Sequence, residues 1–151
     1  MVKKYLKPLL LLLWMGVIFY MSAQPSIESQ ETSNLVAKII FDFLNIFSSG
    51  TMSESEFMLK YIQPIRKLAH FSEFAILGVL ALLTFRQYDK KRAIYIAILF
   101  CLLYAISDEI HQLFVPNRYC DIHDVMIDFL GSFTGIILCH LVQTGWKKYH
   151  S

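Results

Sequence analysis

Residues 93–144 read AIYIAILFCLLYAISDEIHQLFVPNRYCDIHDVMIDFLGSFTGIILCHLVQT, and this stretch decides the fold. Two apolar segments enclose a polar junction at 107–124, which holds four acids, two histidines, a glutamine and an arginine. Helices of about 20 apolar residues cross the ~30 Å hydrocarbon core of a bilayer. The stretch therefore predicts two membrane-spanning helices joined by a short polar turn.

The composition of the whole chain also indicates a membrane protein. Of its 151 residues, 56% are hydrophobic and 17% are charged, whereas soluble domains carry about 25% charged residues. A net charge of +2 and the lack of a glycine-rich phosphate loop give no support for a nucleic-acid partner. Cys101, Cys120 and Cys139 form no CxxC pair, so neither a disulfide framework nor a zinc site is indicated.

Hydropathy predicts an all-α, polytopic membrane protein in which residues 1–151 form one domain with four transmembrane helices. The spans are predicted at about 5–22, 65–85, 93–113 and 122–144. The first span has the basic start of a signal peptide, but Met21 stands where a cleavage site needs a small residue. A retained anchor is therefore predicted.

An amphipathic segment at 33–62 is predicted between the first two spans. Within it, LVAKIIFDFLNIF repeats apolar residues at helical spacing but is too interrupted to cross a membrane. Ser53 and Glu56 have the spacing of a capping box, which predicts a helix start there. Pro64 predicts the first turn of a further helix, because proline favours that position.

Basic residues predict the topology. They form three clusters: Lys3, Lys4 and Lys7; Arg86, Lys90, Lys91 and Arg92; Lys147 and Lys148. With four spans, all three clusters fall on one side of the membrane, which the positive-inside rule makes cytoplasmic. Both termini are therefore predicted to be cytoplasmic, and the junction and the amphipathic segment to be extracytoplasmic.

Three spans place carboxylates at a similar predicted depth. A rise of ~1.5 Å per residue puts Glu73, Asp108 and Asp128 at ~20, ~24 and ~29 Å above the inner boundary. Ionisable groups inside a membrane cost ~2.5 to 3.5 kcal/mol each at a helix centre unless they face a polar interior. We therefore expect a shared polar chamber near the outer surface.

Helical spacing brings the polar residues of each span onto one face. Span two has Lys67, His70 and Glu73 on a face. On span three, Asp108 and Glu109 both lie within one turn of Gln112. On span four, steps of three and four align Asp121, Asp124, Asp128, Gly131 and Gly135. The last two form a GxxxG pattern, which predicts close packing against another helix.

Several of these residues also have structural interpretations. Asp121 and Asp124 suit the N-terminus of span four, where they would cap the helix and meet its dipole. Arg118 follows the turn sequence VPN; it either neutralises Asp121 or recognises a phosphate or carboxylate. Lys60 and Arg66 are predicted to belong to solvated faces. Interfacial or packing roles are predicted for His111, His123 and His140.

Taken together, KLAHFSEFAILG, SDEIHQLFVPNRYCDIHDVMIDFLGSFTG and the earlier FYMSAQPS resemble the VanZ-like integral membrane proteins. The family pattern is K-x-x-H on one span, E-x-x-Q-x-F-x-P-x-R, and then D-x-x-x-N-x-x-G-x-x-x-G. The resemblance implies a bacterial cell-membrane location and an association with resistance to teicoplanin. It implies a packing role for Gly131 and Gly135, and a site role for Lys67, His70, Glu109, Gln112, Arg118 and Asp124. Asp128 departs from the pattern, which often has asparagine there.

The first functional hypothesis is a site at the extracytoplasmic side that acts on or binds a lipid-linked cell-envelope component. Acid–base catalysis is assigned to His70, Glu73, Glu109 and Asp124. Substrate binding is assigned to Lys67, Asp108, Gln112, Arg118, Asp121 and Asp128. The acids and His70 are also suited to a divalent cation, although their spacing is not diagnostic of a metal site.

Two alternatives use the same residues. In one, the protein binds a lipopeptide drug or a wall precursor without turnover and so lowers access of the drug. In the other, the intramembrane acids and histidines relay protons or ions. The cytoplasmic half of each span is almost purely apolar, which disfavours transport because no polar path crosses the membrane.

Overall fold

The computed structural model of the protein describes residues 2–47 and 52–149. Within these residues the chain forms five α-helices and no strand: α1 (Val2–Ser22), α2 (Ser26–Phe47), α3 (Glu54–Phe85), α4 (Ala93–Gln112) and α5 (Ile122–Tyr149). By length and composition, four helices in this part of the chain qualify as membrane spans: Lys4–Ser22, Glu54–Phe85, Ala93–Gln112 and Ile122–Trp146. The prediction of an all-α membrane protein with four spans is confirmed.

The predicted amphipathic helix is α2, which already begins at Ser26. One face packs on α3, where Ala37 is fully buried and the ring centroids of Phe41 and Phe57 lie 5.3 Å apart. A second face leaves large apolar side chains exposed: Leu35, Ile39, Phe43 and Ile46. Such a face suits a membrane surface. Residues 48–51 of the predicted amphipathic segment lie outside the described residues.

Helix α3 contains one confirmed and one wrong prediction. At Ser53, the hydroxyl accepts the N–H of Glu56 at 3.3 Å, and the Glu56 carboxylate accepts the N–H of Ser53 at 3.0 Å. The capping box is therefore present. The helix then continues to Phe85 with Pro64 inside it, so Pro64 does not open a new helix. An internal proline costs ~3 kcal/mol. Packing of α3 against α2, α1 and α5 keeps the helix continuous across that break.

At the centre of the bundle, α3 and α5 pack with their backbones in contact. An added Cβ would overlap a backbone carbonyl oxygen at three helical glycines: Gly78 at Ser132, Gly131 at Phe71 and Gly135 at Ala75. Because backbone atoms cannot rotate away, only glycine permits this spacing. The GxxxG pair of α5 thus fits into α3, and α3 supplies a third glycine in return.

Helix α4 approaches this pair through a stripe of small residues. They recur every fourth position and are all fully buried: Ala93, Ala97, Cys101 and Ala105. The larger buried side chains of the core come from α1, α3 and α5: Ile18, Phe74, Leu77, Leu82 and Ile136. Large apolar side chains such as Leu12 on α1 and Leu103 on α4 point outward, as they would towards lipid.

Helix α1 is tied to the bundle by hydrogen bonds from aromatic side chains. The Trp14 indole donates to the Glu73 carbonyl of α3 at 2.9 Å, and the Tyr104 hydroxyl donates to the Met15 carbonyl of α1 at 2.7 Å. Both acceptors are main-chain carbonyl oxygens within helices, where such oxygens also accept the hydrogen bonds of the helix itself. These bonds therefore add links between helices without leaving a polar atom unpaired.

The two ends of the bundle differ in their side chains. At one end, residues 113–121 join α4 to α5 and include Arg118; this is called the polar end. At the opposite end, residues 86–92 join α3 to α4 near Lys7 of α1; this is called the basic end.

Candidate functional site

The predicted site residues all lie at the polar end, but they divide into two groups. One group lines cavities: Lys67, His70, Glu73, Gln112, Arg118, Asp121 and Asp124. The other group is buried between helices and lines none of these cavities: Asp108, Glu109 and Asp128. The division separates side chains that can touch a ligand from side chains that hold the helices in place.

The first cavity, of about 170 Å³, lies between α1, α2 and α3. Its polar lining includes Arg66, His70 and Glu73 from α3 and Arg118 from the loop. Much of the remaining surface is apolar: Met21, Val36, Ile65 and Ala69. Because α2 forms one wall, the predicted amphipathic helix is part of the site. The lining of the cavity therefore combines charged and apolar side chains.

Two further cavities adjoin the first at the α5 side of the polar end. One, of about 210 Å³, is lined by Arg66, Lys67 and His70 of α3 and by Asp121 and Asp124 at the start of α5. The other, of about 220 Å³, is lined by Arg66, Gln112, Arg118, Asp121 and Asp124. Shared lining residues make the three cavities one continuous polar region.

Arg66, predicted to belong to a solvated face, is half-buried and lines all three cavities. A signal for it was present in the sequence: Arg66, His70 and Glu73 follow steps of four and three, which put them on one face of α3. Its charge also acts on Arg118. Burial, and then the nearby charge of Arg66, lower the pKa of the Arg118 guanidinium below its ordinary value.

Arg118 is held by the backbone and keeps an unused donor. Its Nε donates to the carbonyl of Gln24, just beyond α1, at 3.2 Å. Its Nη1 is buried without a hydrogen-bond partner in the described part of the chain. In the same residues, neither Arg118 nor Arg66 lies within ion-pair distance of a carboxylate. Two guanidinium groups thus face shared cavities without a direct acidic partner.

His70 and Asp128 connect α3 to α5 below these cavities. His70 Nδ1 lies 3.7 Å from Asp128 Oδ1, and Asp128 is only 1% exposed. Asp128 Oδ1 has no hydrogen-bond partner among the described residues. The two side chains are neighbours, but 3.7 Å is beyond hydrogen-bond distance. Asp128, predicted to bind substrate, is buried and lines none of the three cavities.

Asp108 anchors the end of α1. Its Oδ2 accepts the Ser22 hydroxyl at 2.7 Å and the Gln112 amide at 3.4 Å, and the residue is 3% exposed. The Ser22 bond joins the last residue of α1 to α4, and the Gln112 bond lies within α4. Since Ser22 precedes the stretch that carries Gln24, the carbonyl acceptor of Arg118, Asp108 helps to position that stretch beside the site.

Glu109 anchors the start of α5. Its Oε1 accepts the backbone N–H of Asp121 at 2.5 Å, and the residue is 2% exposed. Asp121 in turn accepts the backbone N–H of His123 at 2.9 Å and its ring Nδ1 at 2.7 Å. Those two bonds lower the pKa of the exposed Asp121 carboxyl. Glu109, predicted to be catalytic, therefore fixes the geometry of the α4–α5 turn.

Chemically, the polar region combines anion-binding groups with an acid–base pair. Arg66, Lys67 and Arg118 supply donors for phosphate or carboxylate oxygens. His70 and Glu73 lie beside them, and each is suited to proton transfer at a bound group. In residues 2–47 and 52–149, no group of three or more His, Cys, Asp or Glu side chains is arranged to hold a metal ion.

Comparison with known proteins identifies the family. Nothing among curated proteins or solved structures is significantly similar to the chain. The VanZ/LLP1 family model matches residues 8–143, which include all five helices in whole or in part. The match covers most of the chain, the greater part of each of the four spans and the entire polar end, and so the protein belongs to the VanZ/LLP1 family.

Proposed function

We propose that the protein lies in a bacterial cell membrane with both termini in the cytoplasm and its polar end outside. The proposal rests on the three basic clusters, which the positive-inside rule assigns to the cytoplasm. Cys120 offers a direct test, because it is exposed at the polar end. A membrane-impermeant maleimide should label it in intact cells, with Cys120→Ser as the control. Labelling only after lysis would indicate the opposite topology, with the polar end in the cytoplasm.

In that orientation, the polar end binds the anionic head group of a lipid-linked cell-envelope component. The observation that carries this proposal is the pair Arg66 and Arg118, which share cavities without a carboxylate partner. Guanidinium groups bind phosphate through paired hydrogen bonds. Apolar residues such as Val36 and Ile65 line the same cavity as these arginines and suit contact with a hydrocarbon chain. An anionic lipid has both parts.

Binding is tested with a polyprenyl phosphate, and with the uncharged polyprenol as its control ligand. Hydrogen bonds to charged groups contribute ~1.5 to 3 kcal/mol each, so Arg66→Gln and Arg118→Gln should each weaken binding at least about tenfold. Lys60→Gln is the matched control, since it removes one exposed charge from α3 and lines none of the three cavities. Equal affinity for phosphate and alcohol, or equal affinity of all variants, contradicts the proposal.

Catalysis and simple binding differ in turnover. His70 and Glu73 line the same cavity as the two arginines, which favours acid–base chemistry at the bound head group. Product that accumulates beyond one equivalent of purified protein excludes pure binding. If His70→Asn retains affinity for the ligand but stops turnover, the hypothesis that the protein is an enzyme is supported. If no turnover occurs in the unsubstituted protein, the non-catalytic binding protein is the better description.

Tolerance to the glycopeptide teicoplanin is the cellular consequence proposed for the same site. Arg118→Ala, Glu109→Gln and Asp124→Asn should each abolish the tolerance that the unsubstituted protein confers, while the protein still reaches the membrane. The three changes affect anion binding, the α4–α5 turn and the wall of the cavities, respectively. If all three variants retain tolerance, the polar end has only a structural role.

A further inference from the structure

A second cavity system lies at the basic end, far from the residues described above. The cleft has a volume of about 480 Å³ and lies between α1, α3 and α5. Its lining includes Lys7, Arg86, Gln87, Lys90, His140 and Gln143. None of these residues lines a cavity of the polar end. The cleft therefore requires its own explanation.

Arg86 is fixed across the cleft by neutral partners. Its guanidinium donates to Oε1 of Gln143 and contacts Nδ1 of His140, both on α5. Neither partner carries a negative charge. The two bonds orient the guanidinium but do not neutralise it. A preorganised positive charge remains at the wall of the cleft.

Acidic residues do not compensate this charge. Lys7 and Lys90 line the cleft with Arg86, and no carboxylate of the described residues is among its lining side chains. Asp89, the nearest acid in sequence, instead accepts the backbone N–H groups of Lys91 and Arg92 at 2.9 and 3.1 Å. The cleft is therefore a concentration of positive charge supplied by α1 and by the connection between α3 and α4.

An unused hydrogen-bond donor is also present. Nε2 of Gln87 is buried and has no partner in the described part of the chain. Buried amide donors without a partner are uncommon, because each one costs free energy. Gln87 lines the cleft, so an anionic oxygen bound there could accept a hydrogen bond from its amide group. This donor distinguishes the cleft from a merely basic surface.

The cleft lies at the ends of the candidate membrane spans. α3 ends at Phe85 and α4 begins at Ala93, so Arg86 and Lys90 lie where the spans leave the hydrocarbon. Exposed aromatic side chains occur at the same end, among them Tyr88 and Trp146. Such residues are enriched at membrane–water interfaces. A ligand of the cleft is therefore most readily supplied by the bilayer itself.

From these observations we infer that the basic end is a binding site for the phosphate head group of an anionic phospholipid. Basic pockets between transmembrane helices bind such head groups, and each lysine or arginine near the surface adds to the attraction. Topology alone does not account for the cleft. The positive-inside rule requires basic residues beside the spans, but it does not require an oriented arginine and an unpaired amide in one cavity.

The test is native mass spectrometry of the purified, full-length protein titrated with phosphatidylglycerol or with zwitterionic phosphatidylcholine. Phosphatidylglycerol should bind at least about tenfold more tightly. Lys7→Gln/Lys90→Gln should remove most of this preference. Lys4→Gln/Lys91→Gln is the matched control, because it removes two exposed charges from α1 and from the α3–α4 loop but does not alter the cleft.

The outcomes separate a built site from diffuse attraction. A loss confined to the Lys7/Lys90 variant supports the inference, and so does a smaller loss in Gln87→Leu, which keeps every charge. Equal losses in both lysine variants overturn it, because net charge alone would then explain binding. Displacement of the lipid by inorganic phosphate at equal concentration also overturns it, since the ligand would then be a free phosphate.

Discussion

Replacing Gly135 by alanine tests the contact between α3 and α5 that positions the polar end. The new Cβ would overlap the carbonyl oxygen of Ala75, which belongs to the α3 backbone and cannot rotate away. The helices would have to separate by roughly 1 Å, and overpacking of this kind costs ~1 to 3 kcal/mol. Against this cost, alanine is favoured over glycine in a helix by ~0.8 to 1.0 kcal/mol.

Gly16→Ala isolates the cost of the overlap. Gly16 also lies within a spanning helix, but an added Cβ there meets no atom within 4 Å. The preference for alanine applies to both substitutions and cancels in their difference. The free energy of unfolding of Gly135→Ala should therefore be ~1 to 3 kcal/mol below that of Gly16→Ala.

The measurement is equilibrium unfolding in mixed micelles, with the helical circular dichroism signal as readout. Gly16→Ala should be as stable as the unsubstituted protein or slightly more stable. Gly135→Ala should be the less stable of the two and should weaken binding at the polar end. If the two variants have the same stability, α3 and α5 are not in backbone contact, and the structural basis of the site is wrong.

Two further predictions concern the anchors of the polar end. Ser22→Ala removes the 2.7 Å hydrogen bond to Asp108 and should lower the free energy of unfolding by ~1 to 3 kcal/mol. Ser107→Ala is the control: it removes only an exposed hydrogen bond within α4 and should have little effect in the same assay. The lowered pKa of Asp121 predicts a contribution to stability that is complete above its unfolded pKa of about 4 and is lost as the pH falls through the folded value. Unfolding measured at descending pH should show this loss in the unsubstituted protein but not in Asp121→Asn, and identical pH profiles would contradict the bonds from His123.

The spans could be predicted from the sequence because the thickness of the bilayer sets the number of consecutive apolar residues that a spanning helix needs. The predicted starts at 93 and 122 are the first residues of α4 and α5. At Pro64 a local preference of proline misled the prediction. Packing of the helix on both sides of the proline outweighs the loss of one hydrogen bond. That packing involves other helices, so the residues around Pro64 could not predict it.

For the site, periodicity grouped residues within a helix but did not find partners on other helices. Asp108 and Glu109 were expected in a chamber, yet their partners are Ser22 and the backbone of Asp121, which are distant or main-chain groups. Arg66 was assigned to a solvated face, although its spacing from His70 places both side chains on one face of α3 and both line the first cavity.

The backbone contact between α3 and α5 also determines where the site can change shape. Side chains between two helices act as compressible spacers, but glycine against a carbonyl leaves no such layer. His70 and Asp128 lie beside this contact, so the main chain fixes the separation of the backbones that carry them. The opposite wall, formed by α1 and α2, is joined through side chains and a few hydrogen bonds. If a lipid tail enters the site, we expect it to enter at that wall, where side-chain movement alone can widen the cavity.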